Sequence, residues 1–400
     1  MKILSKSKQP SDAHGLVTDL QGASRLAVAT VSGIVDVVDS MHRNIRGLSP
    51  IVGAGQVGPT TGITGFVYRR IRGVTHTIGG GIDAALTRLA RGSPQRYRSR
   101  NSAATRAALN GLCGDYLADK GNPLAIRMSL YSGDSAVSLD RDALSARFSQ
   151  GEFVHTGRIV VMIHGLCMND LQWATSDHDH RSPLATTQES TVLSLLYNSG
   201  RHVYENGLDL AAMLEVLYLN WPVPIIEVVF VCHSMGGLVA RSAVMQAENG
   251  RMKWRSALKA IVFLGTPHLG APFEQGAAFM LRLLSASPYA APIASVGMAR
   301  SAGIKDLRYG RVQKTNSLAS AARIKPPDRV RCLLIAATVS APFNKVGAET
   351  KRCRGDGLVP RGSALGLGVS ALDQATFFNM NHFELLSSRA VCDKIISWLA

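Results

Sequence analysis

The string VFVCHSMGGLVARSA, residues 229–243, sets one serine between a buried apolar run and an immediate helical pattern. A serine on such a strand-to-helix turn is held in strained backbone with its hydroxyl presented for attack. The turn is tight enough that strand and helix backbones nearly touch, so the residues around the serine must be small. Gly236 and Gly237 meet that need, while Cys232 stands two before Ser234, where a glycine is usual. A hydroxyl is a poor nucleophile at neutral pH. Ser234 therefore needs a general base, and the base needs an acid to orient it.

Both are found downstream. Asp356 is flanked by Gly355 and Gly357 in a loop that follows an apolar run, and His382 stands just before the last helical pattern. The order serine, acid, histidine is the one expected when the nucleophile sits on this kind of turn. Asp306 and Asp373 are rival acids of lower rank, and His268 reads as a structural loop residue. Acyl transfer also needs two N–H donors for the developing oxyanion. Met235 supplies one. The second comes from the turn after the run RIVVMI, where His164-Gly165-Leu166 is followed by Cys167; Leu166 is the candidate, with Cys167 beside it. His164 reads as architectural. Trp173 either lines the acyl or alcohol pocket or belongs to the core. The sequence Asp177-His178-Asp179-His180 reads as a hydrogen-bonded loop and not as a metal site, because no distant further ligand is evident. No Walker loop, dinucleotide fingerprint or zinc spacing occurs, so neither a metal nor a cofactor is expected.

These residues need a frame to hold them. Residues 124–130 read as a strand, short apolar, β-branched runs recur at 158–163, 225–231, 258–264 and 330–336, and a weaker one lies at 191–197. Helical patterns lie between them: one capped by Asn206 and running to 219, one starting at Met235, and an amphipathic one over 383–399. Buried strands alternating with helices predict a mostly parallel sheet covered on both faces.

The first part of the chain differs. Residues 25–43 and 67–89 show helical periodicity with wide apolar faces, separated by a Gly/Pro/Thr-rich loop. Nine arginines and no lysines fall between Arg69 and Arg106. The whole chain carries 44 Lys and Arg against 28 Asp and Glu, a net +16, which favours anionic partners. The expected division is residues 1–123 as an N-terminal amphipathic helical extension with a basic linker, and 124–400 as the catalytic domain. The extension either packs on the core as a cap or contacts an anionic membrane peripherally. Few aromatics accompany the arginines, so nucleic acid is not an expected partner. At 46% hydrophobic and 18% charged residues the chain is not disordered. Six cysteines without a C-x-x-C pair suit a reduced compartment. No run of 18 apolar residues occurs, and no leader is expected after Met1, because no apolar stretch directly follows its lysines. The expected location is cytoplasmic, with the inner membrane face as a peripheral site.

From about residue 158 to 400 the chain resembles the serine α/β-hydrolases, and among them bacterial lipases and esterases similar to the GPI inositol-deacylase-like lipase group. The resemblance is carried by HGL at 164–166, HSMGG at 233–237, LGTPHLGAP at 264–272, DGLVP at 356–360 and the late His382. It implies an α/β-hydrolase fold, with Ser234 as nucleophile, His382 as base and Asp356 as its orienter. Leu166 and Met235 would form the oxyanion hole. The implied activity is hydrolysis of carboxylic esters with lipid-like or other apolar acyl groups. Thioesters, amides and polyesters are open alternatives with the same triad, as is a non-catalytic binding protein on the same fold.

Overall fold

The computed structural model describes residues 100–174, 178–270, 301–314, 327–341, 355–366 and 372–400. The amphipathic stretches at 25–43 and 67–89 lie outside them. By internal contacts the chain divides into two compact units, residues 1–99 with 120–124, and residues 100–119 with 125–400. The second unit holds the sheet and all the candidate site residues.

In chain order its elements are α1 (Arg100–Asp119), β1 (Ser129–Ser132), β2 (Ser135–Ala136), α2 (Arg141–Ser149), β3 (Arg158–Ile163), α3 (Arg181–Thr187) and β4 (Thr191–Leu196). Next come α4 (Val203–Asn220), β5 (Glu227–His233), α5 (Met235–Asn249), β6 (Leu258–Leu264) and α6 (Ala302–Tyr309). β7 (Arg331–Thr338), α7 (Arg361–Ala364), β8 (Asp373–Phe378) and α8 (Arg389–Leu399) complete the unit. The strands form one eight-stranded sheet in the order β2-β1-β4-β3-β5-β6-β7-β8. The β1–β2 and β1–β4 pairs are antiparallel, and all others are parallel. This is the sheet of the α/β-hydrolase fold that the sequence led us to expect.

The apolar runs of β3, β5, β6 and β7 are central because both of their faces are covered. Period-two alternation sends Ile159, Val161, Ile163, Phe230, Cys232, Ile261, Phe263 and Leu334 to one side. There they pack with Leu210 and Leu214 of α4, Leu238 of α5 and Leu112 of α1. Val160, Met162, Val229, Val231, Val262, Leu264, Leu333 and Ile335 face the other side, against Leu184 of α3 and Val391, Ile395 and Trp398 of α8. Fully burying each such side chain contributes about 1.5–3 kcal/mol. The site-bearing loops are thus mounted on the buried central strands.

Three local expectations are corrected. The first strand is not 124–130 but Ser129–Ser132, where antiparallel pairing to β4 and a hairpin at Gly133 (φ +57°) fix its bounds. α4 starts at Val203 after His202, so Asn206 is not its cap. Asn206 is buried inside the helix, its Nδ2 donating to Asn198 O at 2.9 Å. The last helical pattern is interrupted after a short turn at Glu384–Leu386, and Ser388 caps α8 by accepting from Val391 N.

Candidate active site

β5 delivers the chain to Ser234, whose backbone turns to φ 52° and ψ −124° before α5 begins at Met235. A non-glycine residue rarely takes a positive φ, and holding one there stores strain of order 1–3 kcal/mol, about the scale seen at active sites. The neighbouring glycines are required by space. A Cβ on Gly236 would stand 2.3 Å from Ile163 O, and one on Gly237 2.1 Å from Thr266 Oγ1. Cys232 is accommodated with its side chain fully buried beneath the sheet's helical cover. Burial pushes its thiol well above the usual range, which makes it a packing residue and no rival nucleophile. Ser234 N–H donates to Leu264 O at 2.8 Å, tying the turn to the end of β6.

Asp356 and His382 form a buried pair, each 1% exposed. His382 Nδ1 donates to Asp356 Oδ2 at 2.7 Å, and His382 N–H donates to Asp356 O at 3.1 Å. The other carboxylate oxygen accepts from Leu358 N at 2.9 Å and Val359 N at 2.7 Å. Those bonds fix the carboxylate before the histidine uses it. The flanking glycines have left-handed φ values, +123° at Gly355 and +91° at Gly357, and a Cβ on Gly355 would lie 1.9 Å from Val359 O. With its proton on Nδ1, His382 offers an unprotonated Nε2, which has no protein partner and is buried. Gly265, the residue after β6, backs the ring: a Cβ there would be 3.0 Å from both Cε1 and Nδ1. Ser234 N–H is bonded to Leu264 and the His382 ring rests on Gly265, so adjacent residues at the end of β6 hold both.

The turn after β3 closes the other side. A Cβ on Gly165 would be 3.0 Å from Ser234 Cβ, so the loop lies directly against the serine. Cys167 N–H donates to Ser199 Oγ at 3.1 Å, which removes it as an oxyanion donor. Among the described residues the N–H groups of Leu166 and Met235 are not spent on backbone acceptors. Met235, at the first position of α5, also has no intrahelical acceptor and sits at the positive end of the helix dipole. His164 is architectural. Its Nδ1 donates to Gly165 O at 2.8 Å, its ring stacks on Tyr197, and Tyr197 Oη donates to His164 O at 2.8 Å.

The rivals are employed elsewhere. Asp306 Oδ2 accepts from His202 Nδ1 and Val203 N at the start of α4. Asp373 Oδ2 accepts from Trp398 Nε1 at 2.7 Å. His268 is fully buried against Arg241, whose Nη1 lies 3.4 Å from His268 Nδ1. Burial, then the Arg241 charge, hold its pKa well below the ordinary value. Trp173 is 1% exposed and packs in the core with Met162, Met168 and Leu184.

His233 supports the site without having been singled out by its sequence context. Its ring centroid is 4.6 Å from that of His382, and its Nε2 donates to His382 O at 3.1 Å. Burial, and next the proximity of His382, hold it neutral. Its place directly before Ser234 on a buried strand is the signal that could have found it. Beside His382 opens a cavity of about 440 Å³, lined mainly by Met168, Leu171, Gln172, Asn381, Phe383 and Leu386. Its walls are the continuations of the two loops that carry Leu166 and His382, together with Arg100 and Ala104 of α1.

Residues 155–318 match the family described as "Putative serine esterase (DUF676)". Comparison with the curated proteins returns no match. Similar solved structures include the mature lipase BlEst2 of Bacillus licheniformis, 18% identical over 60% of this chain and 91% of that one, with a TM-score of 0.42. The Pyrococcus furiosus esterase PF2001 is 15% identical over 61% and 81%, at 0.38. An esterase of Pyrobaculum calidifontis is 14% identical over 76% and 91%, at 0.37. Over residues 155–318 the chain is thus similar to a serine esterase family, and its sheet order and the strained strand-to-helix turn at Ser234 are those of the α/β-hydrolase fold.

Proposed function

We propose that the chain hydrolyses carboxylic esters of apolar acyl groups through an acyl-enzyme on Ser234. Ser234 Oγ attacks the ester carbonyl as its proton passes to His382 Nε2. Asp356 fixes the histidine tautomer and stabilises the imidazolium that forms. The tetrahedral oxyanion takes hydrogen bonds from the Leu166 and Met235 N–H groups, each worth about 3 kcal/mol where one such donor has been removed from an enzyme. The imidazolium returns the proton to the leaving alcohol. Water then attacks the acyl-enzyme with His382 again as base, releasing the carboxylic acid and Ser234.

The observation that carries this reading is the buried 2.7 Å Asp356–His382 bond, which leaves a buried, unpartnered Nε2 on the histidine ring. Apolar acyl groups are favoured by the cavity beside His382, where Met168, Leu171, Phe383 and Leu386 offer hydrocarbon surface. The test is a panel of chromogenic esters of graded chain length, with a matched thioester and amide. The reading expects ester turnover that rises with acyl length until the cavity is filled. Turnover of the amide alone, or of no member, would overturn it.

A further inference from the structure

On the other side of the sheet from α4 and α5, three metal-ligating side chains converge. Donor atoms of His178, His180 and Cys392 all lie within 4.8 Å of one another. The two histidines have no evident distant partner in the sequence; in the fold, Cys392 of α8 is that partner. An isolated antiparallel bridge pairs Asp179 with Ala174, and an extended residue sends its two neighbours to one side. Asp179 itself is occupied, its Oδ1 accepting from Arg181 N at 2.9 Å and from Arg181 Nε at 3.1 Å, and its Oδ2 from Ser182 Oγ at 3.1 Å.

The ring of His180 is oriented as a metal ligand's usually is. It is fully buried, and its Nε2 donates to Leu385 O at 2.9 Å. A backbone carbonyl taking the far N–H fixes the tautomer and turns the Nδ1 lone pair toward the shared point. His178 Nε2 approaches that Nδ1 at 2.8 Å. Cys392 is 1% exposed. In a tetrahedral zinc site, bonds of about 2.0 Å to nitrogen and 2.3 Å to sulfur set the ligand atoms roughly 3.3–3.7 Å apart. The two nitrogens, 2.8 Å apart, would have to separate slightly, and the donors up to 4.8 Å apart would have to draw in, to reach that spacing.

We propose that His178, His180 and Cys392 form a zinc site, with a water or other oxygen donor in the fourth position. Two imidazoles and a thiolate select zinc over magnesium or calcium, which take all-oxygen sites. The ion would join the start of α3 to α8 and, through Leu385 O, to the turn three residues beyond His382. Its role is to hold the segment that carries the base; it takes no part in the chemistry at Ser234.

The full-length protein, stripped with a chelator and dialysed, is titrated with Zn²⁺ and separately with Co²⁺. One tightly held equivalent is expected, with a thiolate-to-cobalt charge-transfer band and a rise in melting temperature on adding Zn²⁺. Cys392→Ser should lose the band, and His178→Gln should bind at least about tenfold more weakly. His178 is only partly buried, so its variant tests the site should the cysteine variant misfold. Absence of a stoichiometric equivalent would overturn the proposal and leave a histidine–histidine hydrogen bond. So would a band that survives Cys392→Ser.

Discussion

Gly265 lies so close beneath His382 that a Cβ on it would stand 3.0 Å from the ring's Nδ1 and Cε1. It also holds φ +57°, a conformation that side chains resist. The ring position is thus set by the absence of a side chain at the end of β6 as much as by the bond to Asp356. Gly265→Ala should shift the ring and cost on the order of 10²-fold in kcat, since small misplacements of a catalytic group are that expensive. Steady-state kinetics beside a thermal melt checks this. A folded variant with unchanged kcat would show that the ring does not depend on that contact.

Asp356→Asn should lower kcat by on the order of 10⁴-fold, because an amide cannot hold His382 in the required tautomer. Asp373→Asn should stay within about twofold of the parent, the usual scale for an exposed side chain away from the site. Its carboxylate is engaged with Trp398 and not with any histidine. Equal losses in the two variants would mean that the acid is misassigned.

Much of this site is legible in the sequence, for definite reasons. β3 and β6 match their expected spans because a strand buried on both faces needs an unbroken apolar run, and Arg158–Ile163 and Leu258–Leu264 supply one. The Asp356–His382 pair follows from chain order and from glycines that only a tight loop requires. β8 escapes notice because Asp373–Phe378 is an edge strand with no fully buried position, so its pattern is blurred. Asn206 looks like a cap because its type suits one, yet its amide serves a buried carbonyl. Trp173, open between pocket and core by its sequence context, lies in the core. Cys392 cannot be joined to His178 and His180 from sequence, since nothing local marks a contact between the α3 loop and the last helix.

Filling the cavity beside His382 should change chain-length preference and not chemistry. Leu171→Trp places a larger side chain in its wall. Turnover of long-chain esters should fall by about tenfold relative to short ones, the scale set by a few methylenes in an apolar pocket. The chain-length panel reads this out. A uniform loss across all lengths would place the acyl group elsewhere.

Stability should fall on mild acidification. His233 and His268 are fully buried and held well below the ordinary histidine pKa, chiefly by burial, then by His382 and Arg241 respectively. Above an unfolded value of about 6.5, both are neutral in either state and the stability they confer is fully present. As pH drops below that value, the unfolded chain takes up protons that the folded chain refuses, and stability declines toward the depressed folded values. Urea midpoints between about pH 7.5 and 5.5 should therefore decrease. A midpoint that is flat or rises over that range would contradict the burial of neutral histidines.

Every step proposed for the site depends on Ser234 being the nucleophile. A fluorophosphonate probe, which phosphonylates serines activated by a neighbouring base, is incubated with the full-length protein, and the adduct is located by peptide mapping. One adduct on Ser234 is expected, with Ser234→Ala unlabelled and its ester hydrolysis reduced by on the order of 10³-fold or more. An adduct at another residue, or a Ser234→Ala protein that keeps more than roughly a tenth of its activity, would contradict that assignment.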